Sequence, residues 1–434
     1  MSDTTRNILY FAFIAVLIIG TGFVQSWNSA LFVLNFGLIS AIMALGVNIQ
    51  WGYAGLFNVG VMGFVALGGL AGVLVSTPPV AAAWAAGGGN MLIAGAILLL
   101  TVIAVWLLLR RRFMFRSIAV ALTICIGFFA MRAFYDPAVE AIEAVESAKT
   151  GYLGGLNMPI IFSWAVGGMF AAGAAWVVGK IALGLRSDYL AIATLGISEI
   201  IVAILKNEDW LTRGVKNVAG LPRPVPYEVD LQQAAWFQSL SETLAMTPID
   251  LSSIVVKLCY AALFTVVLLV ILWLSETALR SPWGRMMRAI RDNEVAAGAM
   301  GKDVKSRHLQ VFVLGSAVIG MAGAMLTTLD GQFTPASYQP LRFTFIVWIM
   351  VIVGGSGNNW GSVLGGFLIW FCWVEAEPLG LWLMDVITSG MAVDDPIRVH
   401  LIASAAHMRL MTMGLVLLLV LRFTPRGLLP EEKR

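Results

Sequence analysis

Long apolar runs separated by short polar interruptions recur along the whole chain, and this pattern predicts a bundle of membrane-crossing helices. The runs fall at about 8–24, 30–49, 54–75, 91–109, 117–134, 159–183, 189–205, 253–274, 309–329, 343–353, 362–374 and 407–421. Most approach the ~20 apolar residues that a bilayer crossing requires. The two that flank the glycine-rich stretch 354–361 are shorter. The expected fold class is all-α, a polytopic transmembrane helical bundle of about 10–12 spans forming one domain over residues 1–434. No soluble domain is expected at either end. The first run reads as a span rather than a cleaved leader, because it is long and no A-x-A site closes it.

Composition agrees with the pattern. Apolar residues make up 59% of the 434 and charged residues 12%, with a mean hydropathy of +0.85, too few polar groups to clothe a soluble body of this size. The net charge of +3 is unevenly spread, and this orients the chain. With the N-terminus inside and the spans alternating, the basic runs at 110–116, Arg186, the segment 276–307 and the tail from Arg422 all fall on the cytoplasmic side. The loop 206–252, with Pro222, Pro224 and Pro226, then faces outward despite Lys206, Arg213, Lys216 and Arg223. Long loops weigh little in that rule.

Signatures of catalysis are missing. There is no G-x-x-x-x-G-K-[ST], no H-E-x-x-H and no nucleophile elbow, and His308, His400 and His407 lack metal-ligand spacing, so neither an enzyme nor a metal site is expected. Cys125, Cys259 and Cys372 lie in apolar segments and read as small hydrophobes. If ATP drives this chain, another polypeptide must bind it.

Polar residues inside the spans are the candidate path. Glu199 sits in the run YLAIATLGISEIIVAIL, where an ionised carboxylate costs about 2.5–3.5 kcal/mol, so it must face protein, a cavity or water. Asn35, Asn48, Gln50 and Asn58, with Trp51 and Tyr53 among them, can bind a zwitterionic solute or tie helices together. The candidate translocation path is Asn48, Gln50, Tyr53, Asn58 and Glu199. Glu375 and Glu377 are expected on a solvated span end. Glycines such as Gly63, Gly68 and Gly72 have the spacing that lets helices approach closely. The turn glycines Gly354, Gly355, Gly357 and Gly361 either break a helix at membrane depth or form a tight cytoplasmic turn.

The segment 276–307 is the longest charged stretch between two apolar runs. Over 280–307, Arg280, Arg285, Arg288, Arg291, Lys302, Lys305 and Arg307 stand against Asp292, Glu294 and Asp303. Ser281 is a good N-cap and Pro282 a good first helical residue. At about 100° per residue, Trp283, Met286, Met287, Ile290 and Ala297 share one face with Glu294, and Arg285, Arg288, Arg291 and Asp292 share the other.

Four further blocks turn this segment into a specific resemblance: NIQWGYAGLFNVG at 48–60, YLAIATLGISEII at 189–201, VIVGGSGNNWGSVLGG at 351–366 and RFTPRGLL at 422–429. In order and spacing they resemble permeases of the branched-chain amino acid class of ABC importers, the M-type (LivM-like) subunit in particular, over most of the chain. That resemblance implies a path for branched-chain or related amino acids, a homologous second permease (H-type), two cytoplasmic ABC ATPase subunits that bind the ATP, and an external solute-binding protein. It implies multi-pass residence in the lipid of a bacterial cytoplasmic (inner) membrane, with no cofactor in this chain and no nucleic-acid partner. It also implies that the helix of segment 276–307 docks in the ATPase, with Gly284, Arg288, Ala289, Asp292 and Glu294 as the ATPase-coupling positions. The alternative from another class is an ion- or proton-coupled secondary transporter using Glu199, which would move solute without an ATPase.

Overall fold

Helix replaces nearly every apolar run. The computed structural model describes residues 3–111, 114–146, 150–392 and 394–431, so Arg112 and Phe113 of the basic stretch, and Glu432 to Arg434 of the tail, lie outside the described residues. In chain order the main helices are α1 (Asp3–Val24), α2 (Trp27–Ala54), α3 (Val61–Ser76), α4 (Gly89–Arg110) and α5 (Arg116–Glu143). Then come α6 (Ile161–Ala182), α7 (Ser187–Asn207), α8 (Pro248–Arg280), α9 (Pro282–Asp292) and α10 (Glu294–Ala299). The last four are α11 (Val304–Asp330), α12 (Pro340–Gly354), α13 (Asn359–Ile387) and α14 (Met408–Phe423). Among the described residues ten helices are long and apolar enough to cross a membrane, and α3 and α12 are shorter. The chain is a polytopic helical membrane protein.

Three boundaries depart from the sequence expectation. The third apolar run is split, since α2 continues to Ala54 and α3 begins at Val61. The eleventh run is a full span rather than a short one, because α13 passes through Pro378 and ends at Ile387. Neighbouring helices can re-satisfy the backbone that a membrane proline frees. Glu375 and Glu377 therefore lie inside a helix and not on a solvated end: Glu375 is buried and accepts from Gln25 Nε2 at 2.5 Å, and Glu377 pairs with Arg409. The third departure is the coupling segment, described below.

α11 is the central post. It packs on α2, α3 and α6, while α2 also meets α8 and α13. These crossings are close because glycines face backbone: a Cβ on Gly68 would overlap the Gly320 carbonyl, and one on Gly323 the Val65 carbonyl. Where lipid supplies no hydrophobic drive between helices, such contact supplies the packing that holds them. α4 and α5 form a hairpin that buries little beyond Ala94, Ala138 and Ile142.

At the end of α11 remote from α9, the loop after α7 and the loop after α11 pair as β1 (Val218–Ala219) against β2 (Gln332–Phe333), antiparallel. The stretch 206–252 is folded there into short helices, braced by the Arg223–Glu228 ion pair at 2.9 Å.

Candidate coupling basin and the polar cluster beside it

α8 has 33 residues, about 50 Å at 1.5 Å per residue, against a hydrocarbon core of about 30 Å. Its last turns therefore stand clear of lipid and deliver the chain straight into α9. Ser281 makes the corner: its hydroxyl accepts from Gly284 N at 3.3 Å and donates to the Ala278 carbonyl at 2.7 Å, and Pro282 opens the new helix. Gly284 is buried in that corner, where a Cβ would meet the Leu279 and Ala278 carbonyls.

The segment is not one helix. Asn293, at φ −155° and ψ 96°, ends α9 and caps α10 by accepting from Ala296 N at 2.9 Å. The turn at Asn293 takes Glu294 out of the apolar stripe, and its side chain is exposed. The apolar face itself holds: Met287 and Ile290 are buried, with Trp283 and Met286 partly so, and α9 packs on α2 and α8.

Beside this face lies a basin of about 1310 Å³. Arg288, Ala289 and Asp292 line it from α9, Glu276 from α8, and Asn358 and Asn359 from the far wall. The far wall is the glycine-rich turn, tight rather than a broken span. Gly355 leaves α12 at φ +118°, Gly357 follows at φ +84°, and Asn358 caps α13 by accepting from Gly361 N at 3.1 Å. The C-terminal tail lies along this turn, with Leu428 N and Leu429 N each 2.9 Å from the carbonyls of Val353 and Gly354. A Cβ on Gly355 would strike the Leu429 carbonyl, so the tail fits only against glycine.

Asn35 of the intramembrane polar series stands apart, its amide donating to the Leu31 and Lys257 carbonyls, and the others form a buried cluster. Asn48, Gln50 and Asn58 are 0% exposed and Tyr53 is 1%. Asn48 Nδ2 and the Tyr53 hydroxyl both donate to Asn359 Oδ1, at 3.1 and 2.5 Å, while Asn48 Oδ1 accepts from Gly357 N at 2.8 Å. Asn359 Nδ2 donates to Glu276 Oε1 at 3.0 Å. Gln50 Nε2 reaches the Phe312 carbonyl and Ser316 Oγ on α11, and its Oε1 accepts from Asn58 Nδ2 at 2.8 Å. The true helix break is here, at 55–60. Gly55 caps α2 in the left-handed region, and the amides that follow are satisfied: Val59 N by Thr194 Oγ1 and Gly60 N by Asn58 Oδ1. Irregular backbone inside a membrane bundle needs that satisfaction.

Glu199 is not brought into this cluster. Its neighbour Ser198 packs on Gly63, whereas Glu199 itself is exposed on the face of α7 turned away from the bundle. Sequence reasoning missed three contributors, Asn359, Glu276 and Ser316. Only the pair of asparagines beside the turn glycines signalled the first.

The family described as branched-chain amino acid transport system / permease component matches residues 141–421. The high-affinity branched-chain amino acid transport system permease protein LivM of Escherichia coli is 28% identical over 258 residues, 58% of this chain and 59% of that relative. LivM of Salmonella typhimurium is 28% identical over 256 residues, with the same shares. The probable branched-chain amino acid transport permease protein LivM of Methanocaldococcus jannaschii is 26% identical over 282 residues, 64% of this chain and 70% of that relative. The chain thus spans 59% of the length of the first two relatives. No solved structure matches it.

Proposed function

The chain belongs to the branched-chain amino acid transport permease family, and on that premise we propose that it is one permease half of an ABC importer for branched-chain or related amino acids. Residues 1–434 form one transmembrane permease domain in a bacterial cytoplasmic membrane. A homologous H-type permease supplies the other half, two separate ABC ATPase subunits bind and hydrolyse the ATP, and an external binding protein delivers the solute to the side of the 206–252 loop. This chain performs no bond chemistry of its own.

The observation that carries the reading is the coupling corner. A charged helix between α8 and α11 buries its apolar side on the bundle and turns Arg288, Ala289 and Asp292 to a basin, with Glu294 exposed close by in sequence. A partner that grips those groups moves α9, and α9 moves the ends of α2 and α8 on which it packs. In this conformation Asn48, Gln50, Tyr53 and Asn58 brace the wall of the path through their bonds to one another and to α11 and α13. Glu199 looks across the route toward the second permease, because a carboxylate on an exposed helix face is costly against hydrocarbon.

An ion-coupled carrier built on Glu199 draws no support from the geometry, since the carboxylate stands apart from the buried cluster. The test is reconstitution in liposomes with the second permease, the ATPases and the binding protein. Uptake that requires ATP supports the importer, and uptake by this chain alone under a pH gradient overturns it.

A further inference from the structure

Spacing puts Arg291 on the polar face of α9 with Arg285 and Arg288, yet the structure turns it inward. Its side chain is 23% exposed, against 63% for Arg280 at the end of α8. Nη1 donates to the Gly52 carbonyl in the last turn of α2, Nη2 pairs with Glu431 Oε2 in the C-terminal tail at 3.0 Å, and Nε pairs with Asp292 at 3.2 Å. Its stem lies over Gly55, where a Cβ would come within 3.4 Å of Arg291 Cγ, and the guanidinium lies beside Gly357, where a Cβ would come within 3.3 Å of Nη1.

The chemistry of each partner suits a guanidinium. The carbonyls of Gln50 and Trp51 are taken by Leu56 N and Gly55 N, so the Gly52 carbonyl is left for an outside donor at the negative end of the α2 dipole. A planar fork serves that carbonyl and a carboxylate from two separate, fixed nitrogens, a reach that an ammonium's donors, all on one nitrogen, do not have. One turn further up α2, Asn48 holds Asn359, and Asn359 holds Glu276, one turn before α8 ends. The contacts close a ring from α9 through α2 and α13 back to α8.

We propose that Arg291 is the positioning residue that makes the coupling helix, the broken end of α2 and the C-terminal tail move as one body, so that force applied to α9 reaches the polar cluster. This rests on the importer reading. Arg288 and Ala289 meet the partner; Arg291 passes the displacement inward.

The experiment is the reconstituted importer with Arg291→Gln, Arg291→Lys, Glu431→Gln and the double variant, reading ATP-dependent uptake, ATP hydrolysis and the amount of ATPase that co-purifies. Arg291→Gln should lower uptake per ATP about tenfold while the complex stays assembled, as expected for loss of a charged, partly buried hydrogen bond. Arg291→Lys should fall between it and wild type. Glu431→Gln should lower the ratio about threefold, and the double variant should lose no more than Arg291→Gln alone, because the two act through one contact. If Arg291→Gln does not assemble, Glu431→Gln decides the matter by itself. An unchanged ratio in Glu431→Gln, additive losses in the double variant, or losses of uptake that only track losses of assembled complex would each overturn the proposal. Wild-type liposomes that transport without ATPase would instead sink the importer reading, and this inference with it.

Discussion

Asn48 and Asn359 lie 311 residues apart and meet side chain to side chain, the Asn48 amide donating to the Asn359 carbonyl oxygen at 3.1 Å. That single oxygen also takes the Tyr53 hydroxyl, and the Asn359 amide holds Glu276, so one residue ties α13 to α2 and α8. Asn359→Leu keeps the branched outline, though it is bulkier, and removes every one of these bonds. Each buried group left without its partner costs about 1–3 kcal/mol. Thermal unfolding in detergent should drop by several degrees, more than for Asn358→Leu, which removes a cap and one bond to the tail. Equal melting of Asn359→Leu and wild type would show that the cluster contributes nothing to holding the helices.

Arg288 and Glu294 test the coupling corner from its partner side. Neither is needed to bury the apolar face of α9, which rests on Met287 and Ile290. Arg288→Glu and Glu294→Ala should therefore leave membrane insertion intact while lowering uptake per ATP, by about tenfold for the charge reversal at the basin wall. The comparison is drawn in reconstituted complex, with protease resistance as the measure of insertion. Normal uptake by both variants would remove the corner from the mechanism.

Glycine spacing makes a separate demand on stability. Gly68 faces the Gly320 carbonyl so closely that a methyl group cannot enter without parting α3 from α11. Gly196, on α7, has no atom within 4 Å of where its Cβ would stand. Gly68→Ala should cost about 1–3 kcal/mol by overpacking, whereas Gly196→Ala should be neutral or slightly stabilising, as expected for a helical glycine replaced by a better helix former. Chemical denaturation in matched detergent, comparing the two, checks the difference.

Much of the fold was legible because hydrocarbon permits few backbones: apolar runs of sufficient length must become helices, and eleven of the twelve expected runs each lie on one, the third being broken at 55–60. What failed was local. Glu375 and Glu377 looked like a solvated span end, yet Gln25 and Arg409, distant in sequence, accommodate them inside α13. A continuous wheel put Glu294 in the apolar stripe, but the Asn293 side chain caps the next helix and so redirects Glu294. The candidate path residues were visible as polar interruptions, and their bonds were not, because Asn359, Glu276 and Ser316 come to them from helices hundreds of positions away. Periodicity reports a face; it carries no register between faces.

Orientation is the remaining prediction, and the one on which the coupling argument depends. The basic corner and the basic tail gather at one end of the bundle, and the loop pair that forms β1 and β2 gathers at the other. From the excess of Lys and Arg the first end is expected in the cytoplasm. With Cys125, Cys259 and Cys372 replaced by alanine, Met300→Cys should react with a membrane-impermeant maleimide only after cells are opened, and Glu242→Cys should react in intact cells. Both positions are exposed in the structure, so silence at either cannot be blamed on burial. The reverse pattern would put α9 on the side where no ATPase resides, and a helix placed there could not receive force from hydrolysis.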